Sequence, residues 1–305
     1  MPRHITIVFP GQGSQSLGML DRFPKDILNS YKDLLIKSLG FDLIDIINNG
    51  SEEELNRTSI TQPAILFTSY LYFKHIKELN IKPNILCGHS LGEYSSLVAA
   101  ESVTLDDALL IVHKRGLMME NCKHGSMYAI INVDFAEIKE VCSKVEIEMN
   151  TIVSPANLNA PNQTVISGKD EGTHAVVKIL KERGHRKCIK LNVSIASHSK
   201  VMLPTINKFK IALNELNIRM PKYEILHNVD SKRSSSIDDL KGKLLSQLTK
   251  PVQWVNTMKY IKKSNGIIIE CGPGKVLSGL AKANNIDTVY STSSENFMND
   301  LNKIL

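Results

Sequence analysis

In Gly88-His89-Ser90-Leu91-Gly92 a serine sits between two glycines at GxSxG spacing, a pattern suited to nucleophilic attack on an acyl carbon. On a sharp turn between a strand and a helix, the serine Oγ is held out of the backbone. The flanking glycines remove Cβ atoms that would strike the strand and the helix. The same turn aims the backbone N–H of Leu91 at a reacting oxygen, at a helix N-terminus where negative charge is favoured. One stretch therefore supplies a nucleophile and half an oxyanion hole. An ordinary tight turn uses the same residue types, so the motif carries weight only with a strand before it and a helix after it.

A serine nucleophile needs a base. Nine histidines compete for the role: His4, His75, His89, His113, His124, His174, His185, His198 and His227. His89 adjoins the serine, but neighbours on a turn point different ways, so it reads as a residue lining the site. His198, in VSIASHSK, follows the last strand of an inserted unit, where the chain returning to the larger unit passes the cleft. Position makes it the candidate base. Asp106, Asp107, Asp134 and Asp170 lie between serine and histidine, yet each falls at a helix start where capping accounts for it. The reading is a dyad whose histidine is oriented by something other than a carboxylate.

The elements that must hold these residues follow from periodicity. Asn84 to Cys87 reads as a strand and Leu91 to Ala100 as a helix, so Ser90 sits at the junction its chemistry requires. Ile5 to Phe9 is a β-branched run ending at Pro10-Gly11, a buried strand feeding a loop. Asp42 to Ile47, Gln62 to Leu79, Leu105 to Asn121 and Met202 to Leu216 read as helices. Ile225-Leu226 and Ile267 to Glu270 read as further strands, the latter entering the turn CGPGK. Between about 125 and 197 the texture changes: strand Met127 to Val133, helix Phe135 to Val145, strand Glu146 to Asn157, strand Gln163 to Ser167, helix Asp170 to Arg183, strand Lys187 to Val193. That β-α-β-β-α-β order is ferredoxin-like. The predicted fold class is α/β, a large α/β-hydrolase-like domain with a parallel sheet (residues 1–124 and 198–305) carrying an inserted ferredoxin-like domain (125–197). Ser231 to Asp239 reads as a solvated loop.

The chain of 305 residues has 42% hydrophobic and 22% charged residues, a globular balance. No apolar run reaches the roughly 18 residues of a membrane span, and the first residues lack a secretory apolar core, which predicts an unexported cytoplasmic protein without a membrane partner. The five cysteines, at 87, 122, 142, 188 and 271, form no CxxC pair and read as reduced thiols, with no metal site. A formal charge of +6, with both signs interspersed, argues against nucleic acid and suits an anionic partner such as a phosphorylated cofactor or an acidic protein. GPGKV lacks the spacing of a phosphate loop and reads as a structural turn. KERGHRK at 181–187 reads as a solvated helix end.

GQGSQ at 11–15, TQPA at 61–64, GHSLGEY at 88–94, SH at 197–198, QLxxPVQW at 247–254 and GPGKVLSGL at 272–280 together resemble the malonyl-CoA:acyl carrier protein transacylases of bacterial-type fatty acid synthesis. The match runs in family order along the whole chain. It implies Ser90 as the acyl-accepting nucleophile and His198 as general base, with backbone N–H groups of Gln12 and Leu91 forming the oxyanion hole. It further implies Gln247 as the residue whose main chain orients the histidine, Gln62 in the pocket beside His89, and Arg115 as the grip on the substrate carboxylate. Malonyl-CoA and a phosphopantetheinylated, acidic acyl carrier protein are the implied substrates, with no bound cofactor. A guanidinium bonding a carboxylate through two N–H groups is chemically apt, each charge-assisted bond being worth roughly 1.5–3 kcal/mol. Two departures bear on selectivity. Met127 to Asn132 replaces a run of small residues, and Ile195-Ala196-Ser197 precedes the histidine where malonyl-selective polyketide relatives tend to carry a bulky aromatic. The smaller side chain leaves room for methylmalonyl. The rival readings are a serine hydrolase or thioesterase using the same dyad, and a catalytically silent docking subunit.

Overall fold

The computed structural model describes residues 4–122, 125–193 and 195–302. In chain order the strands are β1 (Ile5–Phe9), β2 (Ile85–Gly88), β3 (Ser126–Ile131), β4 (Val153–Ala160), β5 (Gln163–Gly168), β6 (Cys188–Lys190), β7 (Glu224–Leu226), β8 (Ile267–Glu270) and β9 (Val289–Ser291). Five of them make a parallel sheet in the order β7-β2-β1-β8-β9. β1, β2 and β8 are buried at every position, because helices cover both faces of a parallel sheet and leave no solvent side for polar alternation. Register then aligns the strand ends. Phe9 pairs with Gly88, Val8 with Glu270 and Cys87 with Leu226. The loops carrying Gln12, Ser90 and Asn228 thus leave the sheet along one edge, the carboxyl edge where open α/β sheets place their ligands.

The other four strands form an antiparallel sheet in the order β4-β5-β3-β6, which is the ferredoxin-like arrangement expected from the sequence. One face packs on helices Phe135–Glu148 and Asp170–Glu182 through Ile138, Val141, Val145, Val176 and Leu180. The opposite face carries Met127, Ala129, Ala156 and Val165, with Leu191 and Val193 against them. The two sheets are tied by backbone bonds from Leu158 N to Val252 O (2.9 Å) and from Val252 N to Ala156 O (2.8 Å), and by Asn284 Nδ2 donating to Asn159 O at 2.8 Å.

Local differences from the sequence reading have local causes. The stretch expected as a strand from Glu146 begins as helix, which runs on to Glu148 because Ile138, Val141, Cys142 and Val145 share one buried face; β4 starts only at Val153. The last small-sheet strand covers three residues, Cys188–Lys190, rather than seven. Pro204 sits in a 3₁₀ segment, Lys200–Thr205, so the helix expected from Met202 begins at Ile206. Part of the expected loop is helix, Ile237–Gln247, capped by Ser236 accepting from Asp239 N. The helix read from Gln62 starts at Thr58 and contains Pro63. A proline has no N–H to give to the carbonyl four residues back, and the Ser59 carbonyl instead accepts from His113 Nδ1 at 2.8 Å. The expected boundary at His124 lies outside the described residues.

Candidate active site

The β2 strand ends at Gly88 and a helix runs Gly92–Ala99, with Ser90 on the turn between them at φ 51°. Both glycines are sterically required. A Cβ on Gly88 would lie 1.9 Å from the Gly92 carbonyl carbon, and one on Gly92 would lie 2.1 Å from Phe9 O. Asn228, just past β7, fastens the turn by accepting from Ser90 N (2.7 Å) and donating to Gly88 O (2.6 Å).

Ser90 Oγ lies 2.8 Å from His198 Nε2, across 108 residues of chain. His198 Nδ1 lies 2.7 Å from the carbonyl oxygen of Gln247. A carbonyl only accepts, so Nδ1 carries the proton and Nε2 presents its lone pair to the serine. The imidazole is 2% exposed. Burial first, and then the positive field of Arg115, push its pKa down to about 3, which keeps it unprotonated and able to accept. Of the four Asp residues excluded as triad members, all at helix starts, only Asp134 is a cap, accepting from Ala136 N; Asp106 and Asp107 lie in the first turn behind the Thr104 cap, and Asp170 in a first turn without a side-chain cap.

Arg115, on the helix Leu105–Glu120, is 2% exposed. Its Nη1 donates to Gln62 Oε1 (2.9 Å) and its Nη2 to Gln247 Oε1 (3.0 Å). The cation also stands 5.7 Å over the Tyr94 ring. No carboxylate pairs with it among the described residues, and its Nε has no partner. Burial pulls its pKa down. Glu93 acts on it only at a distance, behind Gln247, so the buried guanidinium has no carboxylate in direct contact, a costly arrangement unless an anion is meant to complete it.

A cleft of about 370 Å³ joins these groups, lined by Gln12, His89, Ser90, Leu91, Arg115 and His198 on one side and by Met127, Asn157, Leu191 and Val193 from the small sheet on the other. The N–H groups of Gln12 and Leu91 engage no acceptor among the described residues. Gln62, expected in the pocket wall, is instead fully buried behind Arg115, because its amide is used to hold the guanidinium. His89 donates from Nε2 to Asn159 Oδ1 at 2.8 Å and stacks edge-on against Trp254. Volume alone would have pointed elsewhere: a groove of about 1090 Å³ runs between Met220 and Lys263, and although its lining includes the hydrogen-bonded pair Ser234 and His227, His227 is tied through Nδ1 to the buried Glu93 and no buried arginine like Arg115 lines the groove.

Three residues that the sequence reading did not single out as site residues belong to this assembly: Glu93, His227 and Asn228. Glu93 lies in the quoted GHSLGEY, and a carboxylate in an otherwise apolar helix was the available signal. His227 and Asn228 could be placed only once β7 had paired with β2. GPGKV forms a turn, with Gly272 and Gly274 at positive φ, and at the start of the helix it leads into, Val276–Ala283, Glu270 accepts from Leu277 N (2.9 Å) and Ser278 N (2.7 Å). No group of metal-ligating side chains occurs among the described residues.

The profile of the acyl transferase domain family matches residues 6–282. This chain belongs to the acyl transferase family. The acyl transferase is 36% identical over 289 residues to the malonyl CoA-acyl carrier protein transacylase of Haemophilus influenzae, covering 92% of each chain. Against the Bacillus subtilis enzyme of the same name it is 39% identical over 284 residues, covering 91% of this chain and 89% of the other. The solved malonyl CoA-acyl carrier protein transacylase of Coxiella burnetii matches with a TM-score of 0.93 at 34% identity, over 100% of this chain and 98% of that one. A solved complex of a type II polyketide acyl carrier protein with its malonyl-transacylase matches with a TM-score of 0.92 at 34% identity, over 98% and 99%.

Proposed function

We propose that this acyl transferase is an acyl-carrier-protein S-malonyltransferase, moving malonyl from malonyl-CoA to the phosphopantetheine thiol of an acyl carrier protein through malonyl-Ser90. The observation that carries the reading is Arg115, a buried guanidinium on the cleft wall with neutral partners only. A malonyl carboxylate would neutralise it, while an acetyl group would leave it unpaired. The relatives named above support the same substrate pair.

In the proposed reaction His198 Nε2 takes the Ser90 proton as Oγ attacks the thioester carbonyl, and the oxyanion is held by the Gln12 and Leu91 N–H groups. Collapse expels coenzyme A, which leaves with the proton from His198. The carrier thiol then gives its proton to His198, attacks malonyl-Ser90, and the serine recovers the proton. The starting malonyl-CoA and the malonyl-carrier product are both thioesters, so the transfer is nearly balanced without a bound cofactor, and the main task is to exclude water. The same reading takes 125–197 as an inserted lobe closing over a catalytic lobe of 1–124 and 198–305. The net charge of +6 suits an acidic carrier protein, and the cytoplasm is where the reading puts the enzyme.

Mass spectrometry after mixing with malonyl-, methylmalonyl- and acetyl-CoA in competition tests the proposal. A malonyl-mass adduct that disappears in Ser90→Ala and passes to pantetheine thiols faster than to water is expected. Absence of an adduct would favour a silent subunit, and equal discharge to water a thioesterase. Arg115→Ala is expected to abolish the malonyl preference while retaining or raising acetyl transfer; an unchanged preference would remove the carboxylate clamp from the mechanism.

A further inference from the structure

Behind Arg115 and His198 lies a layer of buried polar groups that do not line the cleft. Its centre is Glu93, 0% exposed, in the first turn of the helix after Ser90. Among the described residues no lysine or arginine pairs with it; its ionic contact is with His227, whose Nδ1 lies 2.6 Å from Oε1. The other carboxylate oxygen accepts from Gln247 Nε2 at 2.7 Å and from Asn228 N at 3.2 Å. All three neighbours can donate to Glu93, which as a carboxylate only accepts.

The consequence falls on Gln247. Its side-chain nitrogen has two N–H groups, one given to Glu93 and one to Ser90 O at 3.0 Å. The amide oxygen is thereby turned to Arg115 Nη2. Reversing the amide would set its oxygen against the carboxylate and the Ser90 carbonyl and its donors against the guanidinium, three repulsive contacts in place of three attractive ones. Glu93 and Ser90 O both require the same orientation, and Glu93 holds it through the shorter bond, 2.7 Å against 3.0 Å.

We propose that Glu93 is a specificity-positioning residue: it fixes the Gln247 amide, and through it the Arg115 guanidinium, in the geometry that receives the substrate carboxylate. The inference rests on the carboxylate clamp of the preceding section. Glutamine at 93 can reproduce the arrangement, because its oxygen can occupy the accepting position while its NH₂ faces His227 in the other tautomer, with Nε2–H turned to Ser234 Oγ. Removal of the acceptor cannot.

The test is steady-state KM and kcat for malonyl-CoA and acetyl-CoA in Glu93→Met, which preserves volume, Glu93→Asp, which retains charge but shortens the reach, and Glu93→Gln, alone and combined with Arg115→Ala. Glu93→Met and Glu93→Asp are expected to raise the malonyl KM about tenfold or more relative to any change for acetyl. Glu93→Gln is expected to restore it to within about threefold of the parent, and in the Arg115→Ala background none of the changes should shift the malonyl KM further. Equal loss for both substrates in the variants that fold, a Gln variant as impaired as Asp, or full additivity with Arg115→Ala would overturn the proposal. Arg115→Ala alone separates the two ideas. If it leaves the malonyl preference intact, the clamp fails; if it abolishes the preference while the Asp and Met variants do not, only the role of Glu93 fails.

Discussion

Ser90, the proposed nucleophile, has a left-handed backbone conformation, at φ 51°, that costs a non-glycine residue about 1–3 kcal/mol. The side chain of Asn228 offsets part of that cost by bonding both flanks of the turn. His198 is likewise left-handed, at φ 58°, so both members of the proposed dyad occupy strained positions that the surrounding bonds over-determine. The depressed pKa of His198 has a sign that can be checked. An unfolded histidine takes a proton near its ordinary value of about 6.5, whereas the folded one resists until about 3. Between those values the unfolded chain binds the proton and the native chain does not, so stability from this group is full above about 6.5 and erodes as pH falls. For the same reason the rate of Ser90 acylation, followed by stopped-flow release of coenzyme A, is expected to stay level from pH 8 down to about 5. A limb centred at the ordinary histidine value would contradict it.

At the scale of elements, strand register does most of the positioning. Parallel pairing of β2 with β1 and β7 sets three loops side by side, and the short turn after β2 leaves no room for any Cβ at its glycines. Gly92→Ala is expected to lower stability by about 3 kcal/mol, since its methyl would meet Phe9 O and Pro10 O at 2.1 and 2.9 Å. Thermal unfolding of the purified variant measures it, and an unchanged midpoint would mean that the turn relaxes freely. The elements themselves were largely legible, because buried parallel strands are short β-branched runs and the turn residues are explicit. Misreadings clustered where pattern and tertiary demand diverge: Ile147 is 80% exposed, so an apolar residue past the true helix stripe made Glu146 onward look like a strand. The three short residues of β6 owe their pairing to β3 rather than to their own pattern.

At the scale of the molecule, the cleft exists because a second sheet faces the first. Asn159 marks their junction, 7% exposed, with its side chain on His89 and its carbonyl on Asn284. This gives His89 a task in the geometry, holding the catalytic turn against the small sheet. Asn159→Ala is expected to let water compete, so that discharge of labelled malonyl-Ser90 to buffer rises severalfold relative to discharge to pantetheine. The partition of label between free malonate and thioester reads the effect directly, and an unaltered partition would show that the contact does not seal the cleft.

The sequence by itself determined where Ser90, the proposed nucleophile, stands. Strand, glycine turn and helix are contiguous, and the physics of the turn is complete within five residues. It also determined the sheet types, since continuous apolar runs and β-α-β-β-α-β order are one-dimensional patterns. Resemblance, rather than periodicity, singled out Arg115 and Gln247. Only the tertiary structure decided how those residues act on one another. The distance from Ser90 to His198 depends on a return path of 108 residues, and the chain from Glu93 through Gln247 to Arg115 joins three separate helices. Hydrogen bonds act over about 3 Å, a length that sequence separation does not encode until the sheets have brought the loops together.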